Sequence, residues 1–374
     1  MLFKCDSDLL FWSQNHQVDN LHTIYSRILL RKLVTIAILI GIEVRMVGLH
    51  DVAKLAGVSK STVSRVINNE YGVKQSTKEM VQKAIDECGY LVNQVAKDLK
   101  SQKTNLIGVI VPTLSSNSTA QGVDGLSYIF DKNGKHVLLA NSQHQHDKEV
   151  EYIRLFNQKR VEGIILYATH LGDPLMKAIS QSQVPVVLVG QDGSIYDIPS
   201  VIHDDVRVGF SAGQRLVKSG CKNIGFIGVS SEDIAVDSMR YQGLSQALLS
   251  LEISAPIFHS RGEFSIESGY EQMKGLLLKN KDIDGVFCAT DRIAIGAIKA
   301  ITESGKTAGK EVKVVGVGND ELGMVSSPSL STFHYAFEAA GETAATVILD
   351  LIEGKQQLMS KIVLGFRVVE RQSC

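Results

Sequence analysis

The chain has 374 residues, with 39 Lys/Arg against 40 Asp/Glu and a net charge of −1, so any charge that attracts a polyanion must be concentrated locally. Its five cysteines are odd in number and scattered, without CxxC or Cys/His spacing, which argues against a disulfide framework or structural zinc and fits a reducing cytoplasm. No GxSxG, Walker loop or GxGxxG follows a strand, so no enzyme nucleophile or cofactor cradle is visible and no cofactor is expected.

Residues 1–45 contain an apolar stretch from Ile28, interrupted by Arg31 and Lys32. Its uncharged part, Leu33 to Ile42, falls short of the ~20 residues of a bilayer span, so no membrane partner is expected. A signal peptide is a poor reading too, because of the pattern that follows.

That pattern is LHDVAKLAGVSKSTVSRVINN, from Leu49. Val52, Leu55 and Ala56 form the inner face of a first short helix. Gly57 supplies a left-handed terminator, and Ser59 is placed to cap a second helix. Val63, Val66 and Ile67 turn inward, leaving Lys60, Ser61, Ser64, Arg65 and Asn68 outward, a face suited to phosphates and base edges. Ser76-Thr77-Lys78-Glu79 reads as a capping box opening a third helix through Val81, Ala84 and Ile85 to Cys88, ended by Gly89 and covered by Tyr90. Leu49 to Lys103 holds nine Lys/Arg against six Asp/Glu, a mild local excess. The segment reads as a helix-turn-helix.

These residues resemble the lactose/galactose repressor family of bacterial transcription regulators, through Asp51-Val52-Ala53, Ala56-Gly57-Val58-Ser59 and Thr62 to Asn68. The resemblance implies base reading by Lys60, Ser61 and Arg65, and phosphate contacts from Ser59, Thr62, Asn68 and Thr77. A planar Arg65 fork on guanine is worth roughly 1–3 kcal/mol of discrimination. Asn93 to Lys100 resembles the family's hinge helix, with Asn93, Ala96 and Leu99 at DNA positions and Leu99 as the apolar wedge of a minor-groove step. The alternative is an ordinary linker carrying a solvated Lys97-Asp98 pair. Val92 and Gln94 depart from the commoner Pro and Arg. Met46 stands where family members begin, so residues 1–45, which match nothing in the family, read as an upstream start codon chosen in error.

From Leu106 apolar strands alternate with amphipathic segments: LIGVIV at Leu106, HVLLA at His136, GIILYA at Gly163, VPVVLVG at Val184, NIGFIGV at Asn223, GVFCAT at Gly285 and VKVVGVG at Val312. Such runs predict parallel strands buried on both faces, in two doubly wound lobes with the ligand cleft between them. The family resemblance implies that these lobes are a periplasmic-binding-protein-like domain, so the expected fold is a small all-α helix-turn-helix domain followed by an α/β, two-lobed domain of that kind. Residues 46–92 form the first, 93–104 the hinge and linker, and 105–374 the effector-binding and dimerisation domain. Lobe 1 spans about 105–204 and 337–364, lobe 2 about 205–336 and 365–374.

The resemblance carries several cleft positions over. Arg240, in Met239-Arg240-Tyr241-Gln242-Gly243, matches a sugar-gripping arginine at a helix start, or else is a surface arginine. Thr290-Asp291 matches an Asn-Asp pair, Thr290 shortening the reach; Asp291 reads equally as a cap for the next helix. Gly318-Asn319 replaces an acidic pair, with Asn319 toward the ligand. Tyr335 and Phe337 match ring-covering residues or are simply core. Ser115, with Ser116 and Asn117, and Gln191, with Asp192, bond a sugar or merely form polar loops. His144 and His146 read as solvated.

The expectation is a sugar-responsive repressor acting as a homodimer on double-stranded operator DNA and released by a small sugar or sugar phosphate. The chain stops after Arg371-Gln372-Ser373-Cys374 without a leucine heptad, so no tetramerising tail is expected. Within the family, NQKRVEGIILYATHL and FSIESG are most similar to regulators of sucrose operons, with those of trehalose operons next. A transport solute-binding protein would share the lobes but need an export signal and no Lys60 or Arg65. A sugar-modifying enzyme would show turnover.

Overall fold

The computed structural model describes residues 47–90, 104–355 and 359–374, which fall into two compact units divided near residue 101. The N-terminal extension and the hinge segment lie outside the described residues.

The first unit has three helices, α1 (Leu49–Leu55), α2 (Lys60–Ile67) and α3 (Gln75–Cys88). Gly57 adopts φ 63° after α1, and the Ser59 hydroxyl accepts the Thr62 amide at 3.1 Å to start α2. Val52, Ala53, Val63, Val81, Ala84 and Tyr90 make the core. Leu55 departs from the expected pattern: it is 52% exposed, and Ala53 takes the inner position instead. The capping box at Ser76–Glu79 does not form either. Helix α3 starts two residues earlier than that box requires, at Gln75, after Lys74, whose side chain makes no cap bond; Ser76 and Thr77 are already helical. Gly89, with φ 62°, ends α3.

The second unit runs in chain order β1 (Leu106–Val111), α4 (Asn117–Lys132), β2 (His136–Asn141), α5 (His146–Gln158), β3 (Gly163–Tyr167), α6 (Asp173–Ser180), β4 (Val186–Val189) and β5 (Ser200–His203). It continues with α7 (Asp205–Lys218), β6 (Ile224–Gly228), a π-helical turn (Ile234–Met239), α8 (Arg240–Ser250), β7 (Phe258–Arg261), α9 (Ile266–Lys279), β8 (Gly285–Cys288) and α10 (Asp291–Glu303). Last come β9 (Lys313–Val317), α11 (Glu321–Val325), β10 (Ser331–Tyr335), α12 (Phe337–Ile352), β11 (Lys361–Leu364) and β12 (Phe366–Val369).

Two six-stranded sheets result, β2-β1-β3-β4-β5-β11 and β7-β6-β8-β9-β10-β12. The first is parallel throughout; in the second, β12 pairs antiparallel with β10, a departure from the fully parallel expectation. Helices cover both faces of the first sheet. Ile165 packs into one apolar cluster while its neighbours Ile164 and Leu166 enter the opposite one, which explains the unbroken apolar run of β3. The chain crosses between lobes three times: between β5 and α7, between β10 and α12, and between β11 and β12.

Glycines set how closely the helices approach. A Cβ on Gly209 of α7 would lie 2.0 Å from the Arg240 carbonyl, and one on Gly243 of α8 would lie 1.9 Å from that of Val206. The α7 and α8 backbones therefore touch, which brings together the two residues that open these helices, Asp205 and Arg240.

Candidate DNA-reading face and effector cleft

At 3.6 residues per turn, Lys60, Ser61, Ser64, Arg65 and Asn68 fall within an arc of about 140° on α2. Lys60, Ser61, Arg65 and Asn68 are exposed, while Val63 opposite them is fully buried. The Ser59 hydroxyl lies 2.7 Å from that of Ser61 and 2.8 Å from that of Thr62, so three hydroxyls cluster where the helix dipole is positive. Asn68 ends α2 and donates to the Ser64 hydroxyl at 3.4 Å. Glu70 stands 3.9 Å from Arg65 Nε, but the pair is exposed and leaves the guanidinium fork open. Thr77 is half-buried in the first turn of α3. Asn93, Ala96 and Leu99 lie outside the described residues.

In the second unit the carboxyl ends of strands from both sheets enclose a cavity of about 440 Å³. Of the effector candidates, Ser115, Gln191, Arg240, Thr290, Asp291 and Phe337 line it; Tyr335 and Asn319 do not. Tyr335 is 1% exposed and lies behind the wall, its hydroxyl donating to Asp205 Oδ1 at 2.7 Å. Asn319 has a left-handed backbone, φ 56°, and its side chain meets His334 and accepts from Arg371 Nη2 at 2.7 Å; Asp320 and Gly318 line the wall instead.

The cleft floor is built on the crossings. The His203 ring stacks on Tyr335 with centroids 4.2 Å apart and meets Phe337 edge-on at 5.4 Å. Burial, with the Arg240 charge nearby, pushes His203 down to about 3, so this ring is neutral. Arg240 is 5% exposed and does not present a free fork. Its Nε donates to Asp205 Oδ1 at 2.7 Å, and its Nη1 donates to the Ala289 carbonyl. Nor does it stand at a free helix start, because the π turn runs directly into α8, and Asp233 caps that turn by accepting the Val236 amide at 3.1 Å. Thr290, not Asp291, caps α10, through the Ile293 amide. Asp291 instead accepts the Asp320 amide at 2.7 Å and the Thr332 hydroxyl at 2.6 Å.

Sequence reasoning missed several wall residues. Asp233, whose carboxyl burial raises to about 6, accepts from Gln191 Nε2 at 2.8 Å and so joins the lobes. Arg292 donates to the Ser115 carbonyl at 2.8 Å and lies 3.4 Å from Asp320, a second bridge. His144, read as solvated, stacks on Phe264 across the cleft with centroids 5.3 Å apart. The Tyr167 hydroxyl and His203 Nδ1 are buried in the wall with no hydrogen-bond partner among the described residues. The sequence signal for these is weak: polar residues just after apolar strands. The arrangement offers rings, hydroxyls and carboxylates to a polyhydroxyl ligand.

Comparison with known proteins follows this division. Residues 48–93 match the model of bacterial regulatory proteins of the lacI family, and 214–374 match that of a periplasmic binding protein-like domain. The HTH-type transcriptional regulator RegA of Clostridium saccharobutylicum is 32% identical over 329 residues, 87% of this chain and 98% of the relative. The sucrose operon repressor of Staphylococcus xylosus is 32% identical over 319 residues, 85% of this chain and 98% of that one. In structure, the lac repressor dimer bound to operator and the anti-inducer ONPF superposes with a TM-score of 0.81 at 27% identity, over 88% of this chain and 99% of that one. With a helix-turn-helix followed by a two-lobed cleft, and relatives of this identity along nearly their whole length, the chain belongs to the lacI family of bacterial regulatory proteins and is a DNA-binding transcription regulator.

Proposed function

We propose that the protein is a cytoplasmic, homodimeric repressor of a sugar-utilisation operon, released from its operator when a neutral sugar occupies the cleft. Lys60, Ser61 and Arg65 read bases, while Ser59, Thr62, Asn68 and Thr77 hold phosphates. Asn93, Ala96 and Leu99 belong to hinge helices that pair over the operator, Leu99 entering a minor-groove step. Two such units suit half-sites about one helical turn apart. The cleft sugar contacts Ser115, Gln191, Arg240, Thr290, Asp291 and Phe337. Sucrose is the first candidate, trehalose the second; the regulator RegA is as similar to this chain as the sucrose operon repressor is.

The observation that carries the neutral-sugar reading is the charge of the wall. Arg240 is ion-paired with Asp205 and Arg292 lies against Asp320, while Asp233, Asp291 and Glu263 of the lining form no ion pair among the described residues, so carboxylates outnumber the cations. Burial raises Asp233 and Asp291 to about 6, so both remain mainly ionised at pH 7. A phosphate dianion would enter a wall that is already negative. Partnerless Tyr167 and His203 atoms match neutral hydroxyls instead. Calorimetric titration with sucrose, trehalose, fructose and their phosphates tests this. Binding of the neutral forms with rejection of the phosphates is expected, and preference for a phosphorylated sugar would overturn it.

A further inference from the structure

One rim of the cleft carries ionisable groups that sugar binding does not use. His146, the first residue of α5 in lobe 1, sits between two carboxylates: its Nδ1 is 3.7 Å from Glu149 Oε2, and its Nε2 is 3.5 Å from Glu232 Oε2 in lobe 2. The Glu149 side chain is 0% exposed, and neither its oxygens nor His146 Nδ1 has a hydrogen-bond partner among the described residues. Burial raises the Glu149 carboxyl to about 7. Other elements also face this group. The His170 ring, after β3, lies 5.1 Å from that of His146, with its Nδ1 3.3 Å from the Glu232 carbonyl. His144, held below its usual range by burial, lies near Glu263 and His146. On the same chain segment Asp147 is adjacent, and Lys148 is engaged with Gln143.

We propose that His146, Glu149 and Glu232 form a proton-operated latch across the cleft, fastened when the His146–Glu149 pair takes up one proton and loosened when it loses it. A neutral imidazole has one N–H and one lone pair. With Glu149 ionised, a neutral His146 must aim its lone pair at a carboxylate on one side. One added proton removes the conflict wherever it resides. On His146, the cation faces a carboxylate on each side, Glu149 at 3.7 Å and Glu232 at 3.5 Å. On Glu149, the neutral carboxyl faces the Nδ1 lone pair while Nε2–H faces the Glu232 carboxylate. Opening the cleft takes Glu232 away, so the closed conformation binds the proton more tightly. Closure is therefore favoured below neutral pH and weakened as pH rises through it. Each unit of difference in proton affinity between the two conformations is worth tenfold in the closure equilibrium. Glu232 is 60% exposed, so water screens the contact and a smaller change, about three- to tenfold, is expected.

Amide hydrogen exchange on the ligand-free full chain at pH 6 and pH 8, corrected for intrinsic rates, tests the latch without any effector. Peptides covering the π turn, Ile234–Met239, are read against strand β3 as an internal reference. The π-turn amides should exchange about three- to tenfold more slowly at pH 6, with β3 unchanged. Glu232→Gln, a change at an exposed side chain, and Glu149→Gln should each flatten that dependence. A wild-type profile that does not change with pH relative to β3, or an undiminished pH response in Glu232→Gln, would overturn the proposal. Neither result bears on which sugar the cleft accepts.

Discussion

Replacing Arg240 with Met tests whether the cleft floor is held by charge. In the native chain the Arg240 and Asp205 side chains are 7% and 5% exposed, and Asp205 Oδ1 accepts from both Arg240 Nε and the Tyr335 hydroxyl. Burial raises the Asp205 carboxyl, while Arg240 and the Tyr335 hydroxyl pull it back. Met fills much of the space but leaves Asp205 with Tyr335 alone. Stranding one member of a buried ion pair costs about 3–5 kcal/mol, which for a unit of this size lowers Tm by roughly 10 °C. The loss should depend on pH in a definite direction. Without Arg240 the folded-state carboxyl is raised further, so the folded chain holds a proton that the unfolded chain releases. Stability relative to the native chain then falls as pH rises, by up to about 1.4 kcal/mol per unit, and the deficit is smallest in acid. Denaturant melts of the full chain at pH 5, 6, 7 and 8, followed through the effector unit, measure both features. A deficit below about 1 kcal/mol that does not change with pH would refute the reasoning.

Other substitutions probe separate parts of the molecule. Gly243→Ala puts a methyl 1.9 Å from the Val206 carbonyl; separating α7 from α8 should cost about 1–3 kcal/mol, and an unchanged denaturation midpoint would show that the crossing yields. Ser59→Ala removes the α2 cap and should cost the helix-turn-helix about 1 kcal/mol, read as faster amide exchange at Thr62 and Val63. Arg65→Ala should narrow the gap between operator and random DNA by roughly 1–3 kcal/mol; an equal loss on both DNAs would make Arg65 a phosphate contact. Gln191→Glu sets a second carboxylate against Asp233, itself raised to about 6. Sugar affinity should fall at least tenfold at pH 8 and recover toward pH 6, as the two carboxyls share a proton. A loss that is the same at both pH values would deny that Asp233 and Gln191 meet across the cleft.

The sequence disclosed the architecture where one physical signal dominated. Unbroken β-branched runs marked β1, β3, β4, β6, β8 and β9, because strands covered on both faces have no polar side. It concealed β5, β7, β10 and β11, which are four or five residues long and each carry a polar or charged residue. Ser331 and Thr332 are buried at 1% only because Ser373, Cys374 and Asp291 satisfy them from far along the chain. Leu55 misled because a seven-residue helix has too few turns for periodicity to fix which apolar residue faces in. In the cleft, polar residues after apolar strands pointed to Ser115 and Gln191. Asn319 was misplaced because its left-handed backbone turns the side chain toward Arg371. Asp233 was missed because a π turn has no sequence periodicity of its own, and Arg240 looked free because nothing local announces Asp205, 35 residues earlier.

The central claim is that cleft occupancy and operator binding share one free energy. Operator affinity measured by fluorescence anisotropy with and without saturating sucrose, and sucrose affinity measured with and without operator, test it together. The two ratios should agree, at about 5- to 150-fold weakening in each direction. Sucrose that binds in the cleft yet leaves operator affinity unchanged, or two ratios that differ, would contradict it.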